Sequence, residues 1–271
     1  MPELQEVVVT LRGIIPYIIG KKISRVTVRN GNLRWPVPKD LSVILNNRKL
    51  ESGRQRAKYM LFRFPHGHMM IHLGMSGNLR VLPYDSLPEK HDHVDIFFDN
   101  KVLLRYSDPR RFGSILWVEG NPEEHKLLSN LGPEPFSAEF DASRLHLLSR
   151  GKVISVKQFL MDNKNVVGVG NIYANEALFL SGINPKKAAG RISFPAYETL
   201  ASNIIKVLSS AIKQGGTTLQ DFSGNDGKSG YFKQELYVYG RGGKPCLKCT
   251  SLLKEIRLGQ RSSVYCSTCQ K

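Results

Sequence analysis

Four cysteines near the C-terminus give the clearest chemical signal in this 271-residue sequence. Cys246 and Cys249 form one C-x2-C pair, and Cys266 and Cys269 form a second pair after a gap of 16 residues. Two such pairs supply four thiolates to a tetrahedral zinc, and the gap fits a β-hairpin between them. Because four thiolates leave no open position for a substrate or water, the spacing predicts one structural Zn2+.

The N-terminus offers a second kind of chemistry. We expect a helix from residue 2, because a proline suits the first turn and apolar residues follow at helical spacing, at Leu4, Val7, Val8 and Leu11. Glu3 and Glu6 then lie on another face near the amino group, although the helix dipole alone also explains acids there. If Met1 is removed, Pro2 exposes a secondary amine whose pKa is nearer ~8 than the ~10.4 of lysine. Such an amine can attack an electrophilic sugar carbon while a neighbouring acid moves protons.

The charge of the chain points to an anionic partner. Lysine and arginine number 39 against 23 acidic residues, which gives a formal net charge of +16. A field of this size concentrates polyanions, of which nucleic acid is the commonest. No apolar run approaches the ~20 residues of a bilayer span, and the N-terminus lacks a basic leader, so we expect a cytoplasmic protein without a membrane partner.

A possible phosphate site lies in the second half of the chain. Ser155-Val156-Lys157-Gln158 has the form of a capping box, which places Lys157 in the first turn of a helix, and a second helix is expected to begin at Asn171. Unpaired N–H groups at two helix starts, with Lys157 and Asn171, would favour an anion. Ordinary helix capping with a solvated lysine explains the same spacing equally well.

The elements that must position these groups fall into two textures. From about Lys22 to Val118, seven β-rich runs alternate with turn signals, which predicts an antiparallel sandwich or barrel. The pattern breaks around Gly132-Pro133-Glu134-Pro135, and helical spacing follows in the stretches 155–162, 171–181 and 196–214. The sequence therefore predicts a multidomain α+β protein.

Several motifs together resemble the formamidopyrimidine-DNA glycosylase family, the bacterial enzymes of 8-oxoguanine repair. The resemblance covers essentially the whole length, and the order and number of the segments make it specific. Besides the four-cysteine tail, these segments are Pro2-Glu3-Leu4, Glu6-Val7, Arg56-Ala57-Lys58-Tyr59, His72-Leu73-Gly74-Met75-Ser76-Gly77, Lys90-His91-Asp92-His93, Asp108-Pro109-Arg110-Arg111-Phe112-Gly113, Gly168-Val169-Gly170-Asn171-Ile172-Tyr173, Gln234-Glu235-Leu236 and Val238-Tyr239-Gly240.

The resemblance implies a fold and an activity. It implies a catalytic β-sandwich with a leading helix at 1–133, a helix-two-turn-helix domain at 134–240 and a β-hairpin zinc finger at 241–271. The implied activity is that of a bifunctional DNA glycosylase and abasic-site lyase of base excision repair. Its substrates are oxidised purines, namely 8-oxoguanine and formamidopyrimidines, in damaged double-stranded DNA held between the domains. The implied protein is a monomer of the bacterial cytoplasm, associated with the nucleoid through DNA.

Residue roles follow from the same resemblance. Pro2 attacks C1′ of the damaged nucleotide and forms a Schiff base, Glu3 is the general acid and base, and Glu6 supports them. Lys58 assists β-elimination, and Arg261 assists δ-elimination or holds the flipped-out phosphate. An enzyme that extrudes a base must fill the hole, which suits Met75, Arg110 and Phe112, although each taken alone fits an ordinary core or surface position. The remaining contacts to the DNA backbone are assigned to His91, Arg111, Lys152, Lys157 and Asn171, and the segment 215–231 resembles a mobile loop over the extruded base.

Two departures and two alternatives qualify this interpretation. The family usually has proline at position 5 and glutamate at position 8, whereas this chain has Gln5 and Val8, so the surroundings of the amine differ. One alternative is an endonuclease VIII-like enzyme for oxidised pyrimidines, against which Leu4 and the pairing of Met75 with Phe112 argue. The other is a zinc-ribbon DNA binder without activity, which would need neither Pro2 nor Lys58.

Overall fold

A computed structural model describes residues 3–217 and 236–271. Pro2 and the part of the predicted loop from residue 218 to 231 lie outside the described residues. The described chain forms two compact units, the first running to Ser129 and the second combining 130–214 with 236–271. None of the helices in these ranges is both long and apolar enough to cross a membrane.

The first unit is a β-sandwich behind an N-terminal helix. Its two antiparallel four-stranded sheets have the strand orders β1-β6-β7-β5 and β2-β3-β4-β8. Apolar residues from both sheets and from α1 form one buried core. The elements of this unit are α1 (Leu4–Ile18), β1 (Ile23–Val28), α2 (Leu41–Leu45), β2 (Ser52–Arg56), β3 (Tyr59–Phe64), β4 (Gly67–His72), β5 (Asn78–Pro83), β6 (Asp92–Phe98), β7 (Val102–Ser107), β8 (Ser114–Glu119) and a short 3-10 turn at Pro122–Glu124.

The predicted fold class is confirmed, and the seven β-rich runs are all strands. The sequence did not predict β2, a polar strand that contains Gly53 and lies at the edge of its sheet. A Cβ at position 53 would lie 2.3 Å from Cδ1 of Ile15, so the side of β2 that faces α1 has no room for a side chain. The glycine that weakens the strand signal is therefore what allows the helix to pack on this strand.

The N-terminal helix differs from the prediction at its start. It begins at Leu4 and not at residue 2, because Glu3 has an extended backbone (φ −99°, ψ −173°) and serves as the N-cap. The buried face includes Gln5 and Val9, whereas Val8 is only half-buried. Position 5 is therefore a core position of α1 in this chain.

The second unit combines helices with a C-terminal hairpin. Its elements are α3 (Ala142–Ser149), α4 (Val156–Met161), α5 (Asn171–Leu180), a 3-10 turn at Ala189–Arg191, α6 (Phe194–Thr217), β9 (Lys254–Leu258) and β10 (Arg261–Tyr265). The helix α6 continues through the first three residues of the predicted loop 215–231. Phe179 of α5 shares a buried cluster with Val238, Leu253, Val264 and the cysteines. The hairpin therefore depends on the helices for part of its core.

Candidate functional site

A cavity of about 620 Å³ opens on the first unit. Its lining contains three arginines and one histidine, so its walls favour an anionic ligand. The lining residues come from the segment after β1, the end of β4 and the segment between β7 and β8: Asn32, Arg34, His72, Gly74, Met75, Arg110, Arg111 and Phe112. Four of the predicted DNA contacts, Met75, Arg110, Arg111 and Phe112, thus lie around one cavity.

Two large apolar side chains that line this cavity, Met75 and Phe112, are exposed to solvent. Met75 is 40% exposed and Phe112 is 45% exposed, although neither gains from contact with water. The Arg110 guanidinium lies over the Phe112 ring, 4.8 Å from its centroid. An exposed apolar pair beside a stacked guanidinium is the chemistry expected of a group that inserts between bases.

His72 is a cavity residue for which the sequence predicted no role. Its Nδ1 accepts a hydrogen bond from the Gly74 N–H at 2.9 Å. Burial, reinforced by the positive charges of Lys58 and Arg34, lowers the pKa of His72 to about 4. The ring is therefore neutral at physiological pH and acts as a hydrogen-bonding group. Antiparallel pairing of β3 with β4 places His72 opposite Tyr59. The alternating pattern of β4 is therefore the sequence signal that could have located His72.

Lys58 occupies the tight turn between β2 and β3. Arg56 pairs with Tyr59, so the turn consists of Ala57 and Lys58, and Ala57 has a left-handed backbone with φ 50°. Lys58 precedes Tyr59, whose partner on β4 is the cavity residue His72, so this turn lies beside the cavity. A two-residue turn with restricted geometry thus brings the predicted lysine to the site.

His91 lies exposed at the start of β6, next to buried Asp92. The segment before it is anchored by Arg105, whose guanidinium donates to the carbonyls of Ser86 and Leu87 at 2.8 Å. Arg105 also contacts the carboxylate of Asp95 at 2.8 Å. A buried arginine therefore fixes the loop that presents His91.

Glu3 and Glu6 meet at the start of α1. The Glu3 N–H donates to Oε2 of Glu6 at 2.6 Å, and Glu3 is buried whereas Glu6 is half-buried. This bond ties the Glu6 carboxylate to the backbone of the N-cap residue of α1. Pro2 itself lies outside the described residues.

The structure places Lys157 differently from the expectation of an outward lysine at a helix start. Its side chain is 1% exposed, and Nζ donates to the Ser262 carbonyl and to Oγ of Ser263, both at 2.6 Å. Burial, together with nearby Arg261, lowers the pKa of Lys157 to about 8. The ammonium is therefore engaged by β10 and is not offered to solvent. The hydroxyl of Ser155 caps α4 as predicted, by accepting from the Gln158 N–H.

Arg261 and Asn171 belong to the same part of the second unit as Lys157. Arg261 is exposed and follows the turn Gly259–Gln260, in which both residues have positive φ as in a type I′ hairpin. Asn171 is the first residue of α5, and its buried Oδ1 has no hydrogen-bond partner in the described part of the chain. Lys152 is exposed beyond the end of α3. Of these three, Arg261 lies near Lys157, because it immediately precedes Ser262, whose carbonyl accepts from the lysine ammonium.

Glu176 is a buried residue that the sequence analysis did not single out. Its carboxylate accepts from the backbone N–H groups of Tyr237, Val238 and Tyr239 at 2.7 to 2.9 Å. These bonds tie α5 to the residues that lead into the cysteine-rich hairpin. No pattern in the sequence indicates this contact, because its partners are backbone amides about 60 residues away.

The four cysteines meet as predicted. Their Sγ atoms all lie within 4.8 Å of one another, which suits the edges of a tetrahedron around one zinc. In both pairs a backbone N–H donates to sulfur at 3.4 Å, from Lys248 to Cys246 and from Cys269 to Cys266. Sulfur atoms that accept such bonds are suited to carry thiolate charge. The residues present therefore fit one structural zinc held by Cys246, Cys249, Cys266 and Cys269.

Comparison with known families accounts for nearly the whole chain. Residues 1–115 match the formamidopyrimidine-DNA glycosylase N-terminal domain, and residues 131–223 match the H2TH domain of the same glycosylase. Residues 243–271 match a zinc finger found in FPG and IleRS.

Individual relatives agree over their full length. A formamidopyrimidine-DNA glycosylase of Stutzerimonas stutzeri is 55% identical over 271 residues, which is all of both chains. A crystal structure of Lactococcus lactis Fpg with DNA containing an abasic site is 29% identical, with a TM-score of 0.89 and complete coverage of both chains. A structure of MutM with DNA containing carbocyclic 8-oxo-G has a TM-score of 0.87 at 29% identity, again over both whole chains.

The low pKa of His72 predicts how the stability of the first unit depends on pH. In the unfolded chain His72 has a pKa of ~6.5 and is protonated below that pH, whereas in the folded protein it is protonated only near pH 4. The free energy of unfolding therefore falls as the pH drops through this window, by at most about 1.4 kcal/mol per pH unit from this group. His72→Asn keeps an acceptor near Nδ1 without a titrating ring, so its loss of stability between neutral and acid pH is smaller.

Urea unfolding followed by tryptophan fluorescence measures this difference, because both tryptophans, Trp35 and Trp117, lie in the first unit. His66→Asn, in the exposed turn between β3 and β4, is the matched control and keeps the wild-type dependence. Equal acid sensitivity in wild type and His72→Asn would contradict the assignment.

Zinc removal tests the hairpin. Metal binding to four thiolates is worth on the order of 10 kcal/mol in such short segments, so Cys249→Ser or strong chelation should disorder the hairpin. The basic side chains then lose their common surface, DNA binds more weakly, and the slope of log K against log salt becomes shallower. Arg261→Ala should keep its zinc, since it is no ligand, but bind damaged DNA more weakly.

Zinc content by atomic absorption, with binding curves at several salt concentrations, separates the two variants. Tryptophan fluorescence serves as an internal control, because unfolding of the first unit should not change with zinc loss. Zinc loss in Arg261→Ala, or wild-type DNA binding after complete zinc removal, would show that the hairpin has been misinterpreted.

Proposed function

This chain belongs to the formamidopyrimidine-DNA glycosylase family over its full length, and from that membership we propose how its residues carry out the reaction. It is a DNA glycosylase of base excision repair that excises oxidised purines and cleaves the resulting abasic site. The endonuclease VIII-like and purely DNA-binding alternatives do not account for 55% identity to a formamidopyrimidine-DNA glycosylase along the entire chain.

One observation carries the assignment of residues, namely the cavity that gathers Met75, Arg110 and Phe112 beside four further polar or basic side chains. We assign Met75, Arg110 and Phe112 to the space left by the extruded nucleotide. Arg111 and His91 contact the DNA backbone, where their exposed N–H donors suit phosphate oxygens. Arg34 and His72 join this set on the strength of their position in the cavity.

Base removal requires a nucleophile and a proton donor. After loss of Met1, the Pro2 nitrogen attacks C1′, the glycosidic C–N bond breaks, and its electron pair leaves with the base, which takes up a proton. The attached nitrogen gives up its proton, the C1′–O4′ bond then breaks as O4′ takes up a proton, and the nitrogen lone pair forms a cationic iminium between proline and the opened sugar. Buried Glu3, held against Glu6 at the start of α1, is positioned to move protons in this step and to return them later.

Strand cleavage follows from the iminium, which acidifies the proton at C2′. We propose that Lys58 assists its removal, because the lysine lies in a tight turn beside the cavity. In this β-elimination the electron pair of the C2′–H bond moves into the sugar, the C3′–O3′ bond breaks, and the 3′ phosphate leaves. Arg261 assists δ-elimination or holds the phosphate. The buried ammonium of Lys157 supports Arg261 by fixing the backbone of β10, and Asn171 and Lys152 contact phosphates directly.

The zinc site is structural. The thiolates of Cys246, Cys249, Cys266 and Cys269 would hold the ion, which supplies folding free energy and leaves no position for a substrate. Its role is to order the hairpin that carries Arg261.

The domain division, partners and location follow the family. We propose that 1–133 is the catalytic domain, 134–240 the helix-two-turn-helix domain and 241–271 the finger. The partner is damaged DNA, as in the solved relatives, whose complexes contain an abasic site or 8-oxo-G. We further propose a monomer that works on the bacterial nucleoid.

Borohydride trapping tests the nucleophile. Wild-type protein incubated with a duplex containing 8-oxoguanine and reductant should form a covalent complex, because reduction converts the iminium to a stable amine. Pro2→Gly should still bind DNA but lose most lyase turnover, since its primary amine has altered basicity and freer geometry. Unchanged turnover in Pro2→Gly, or no trapped complex with wild type, would overturn the proposed reaction.

Glu3→Gln separates the two steps. Base excision needs a proton for the leaving base, whereas a preformed abasic site has already lost its base. The variant should therefore nearly abolish excision of 8-oxoguanine while retaining more of the cleavage of abasic DNA, both measured on gels under single-turnover conditions. An equal loss in the two assays would contradict the role of Glu3.

A further inference from the structure

Asp108 is a fully buried acid at the end of β7 to which no step above assigns a role. Its carboxylate accepts three hydrogen bonds. Oδ1 accepts from the Ser76 hydroxyl at 2.6 Å, and Oδ2 accepts from the Gly113 N–H at 2.9 Å and from the Tyr106 hydroxyl at 3.2 Å. One carboxylate thus joins the segment that carries Met75 to the segment that carries Phe112.

The backbone of Asp108 extends these links. Its N–H donates to the His91 carbonyl at 3.1 Å, and its carbonyl accepts from the Arg111 N–H at 3.1 Å. The same carbonyl lies 2.8 Å from Nε2 of His93. Asp108 is therefore bonded to His91 and Arg111 and to the neighbours of the other exposed DNA-contact residues, Met75, Arg110 and Phe112. Arg34 and Lys58 lie outside this set.

The Ser76 hydroxyl passes the constraint on to Arg110. While it donates to Asp108, its oxygen accepts from the Arg110 N–H at 3.1 Å. The two segments also touch directly, since a Cβ at Gly74 would lie 2.4 Å from the backbone of Phe112 and Gly113. Gly74 has φ 65°, so glycine meets both a steric and a conformational requirement there.

Asp108 has no ion-pair partner among residues 3–217 and 236–271. A buried carboxylate without a counter-charge is tolerated when hydrogen-bond donors surround it. Charged acceptors form stronger hydrogen bonds than neutral ones, so the arrangement resists loosening. The Asp108 carboxylate is thus stabilised by Ser76 and Gly113, which lie next to the residues that we assign to DNA contacts.

We propose that Asp108 is a positioning residue that holds Met75, Arg110 and Phe112 as one preassembled wedge before DNA binds. The inference rests on the proposed function, because it takes insertion of these side chains as part of base extrusion. Preassembly places the entropy cost of ordering two loops in folding and not in binding. Loss of the carboxylate should therefore slow insertion without removing the phosphate contacts.

The test follows insertion directly with a duplex in which 2-aminopurine stands next to 8-oxoguanine, because unstacking raises its fluorescence. Asp108→Asn replaces one acceptor by an NH2 group, which cannot accept from Ser76 or Gly113. We expect the stopped-flow insertion rate and the excision rate to fall together, by about 10- to 100-fold, as expected for a misplaced positioning group. Trapping on a preformed abasic site, where no base must be extruded, should fall much less.

Two further variants keep the test decisive. Tyr106→Phe removes a donor to the same carboxylate that comes from neither loop, and it should insert and excise within about twofold of wild type. Ser76→Ala removes the link to the Met75 and Arg110 segments at a half-buried position, so it carries the test if Asp108→Asn does not fold. It should reproduce the slow insertion at an unchanged melting temperature.

The outcomes distinguish this inference from the proposed function. Wild-type insertion rates in folded Ser76→Ala or Asp108→Asn would overturn the role of Asp108, as would equal losses of insertion and abasic-site trapping. Failure of the wild-type protein to excise 8-oxoguanine or to be trapped would overturn the proposed function instead.

Discussion

A charged group that leaves water needs compensation. Three buried charged groups in this protein are compensated by hydrogen bonds, at least one of which in each case joins segments that are distant in the sequence. Asp108 receives hydroxyl and amide donors, Lys157 donates to a carbonyl and a hydroxyl, and Glu176 accepts from three consecutive amides. Within the described chain none of these three takes part in an ion pair. Each one therefore fixes the backbone of a loop or hairpin and not merely another side chain.

This way of compensating charge suits a protein that must act on a flexible polyanion. Exposed side chains such as Phe112 and Arg261 are presented by segments whose backbones are held from beneath. The exposed side chains of these segments can therefore be polar or apolar according to the part of the DNA that they contact. The buried charged groups keep the backbone of the segments rigid. Zinc likewise fixes the backbone of the C-terminal hairpin, because a tetrahedral ion orders a segment that is too short to form a core alone.

The sequence predicted what depends on local pattern. The strand alternation located seven of the eight sandwich strands, the cysteine spacing located the metal site, and the Ser155 cap located α4. It did not locate β2, whose glycine is required for packing against α1. It assigned Lys157 to a DNA phosphate, with solvent as the alternative, whereas the ammonium is bound by β10. The environment of that lysine depends on Ser262 and Ser263, about 100 residues away. The residues next to Lys157 in the sequence contain no pattern that predicts such a contact.

The cavity shows the same division. Motif resemblance identified Met75, Arg110, Arg111 and Phe112, because these residues lie within contiguous segments. Arg34 was not identified, since its place at the cavity depends on a backbone hydrogen bond from its N–H to the Gly113 carbonyl at 3.1 Å. His72 lies within one of the motifs that carry the resemblance, but its neutral state follows from burial, which the order of residues does not reveal.

The packing of α1 also bears on how the chain is made. Val7, Leu11, Ile14 and Ile18 bury their side chains in a core whose other members extend to Ile115. The helix α1 precedes every strand of the sandwich, and the strands that pack against it, β2, β3 and β5, end at Arg56, Phe64 and Pro83, between about 40 and 65 residues after Ile18. At roughly 5 to 20 residues per second, the apolar stripe of the nascent helix stays uncovered for several seconds on the ribosome. The segment next to the reactive terminus is thus made before any of the strands that enclose it.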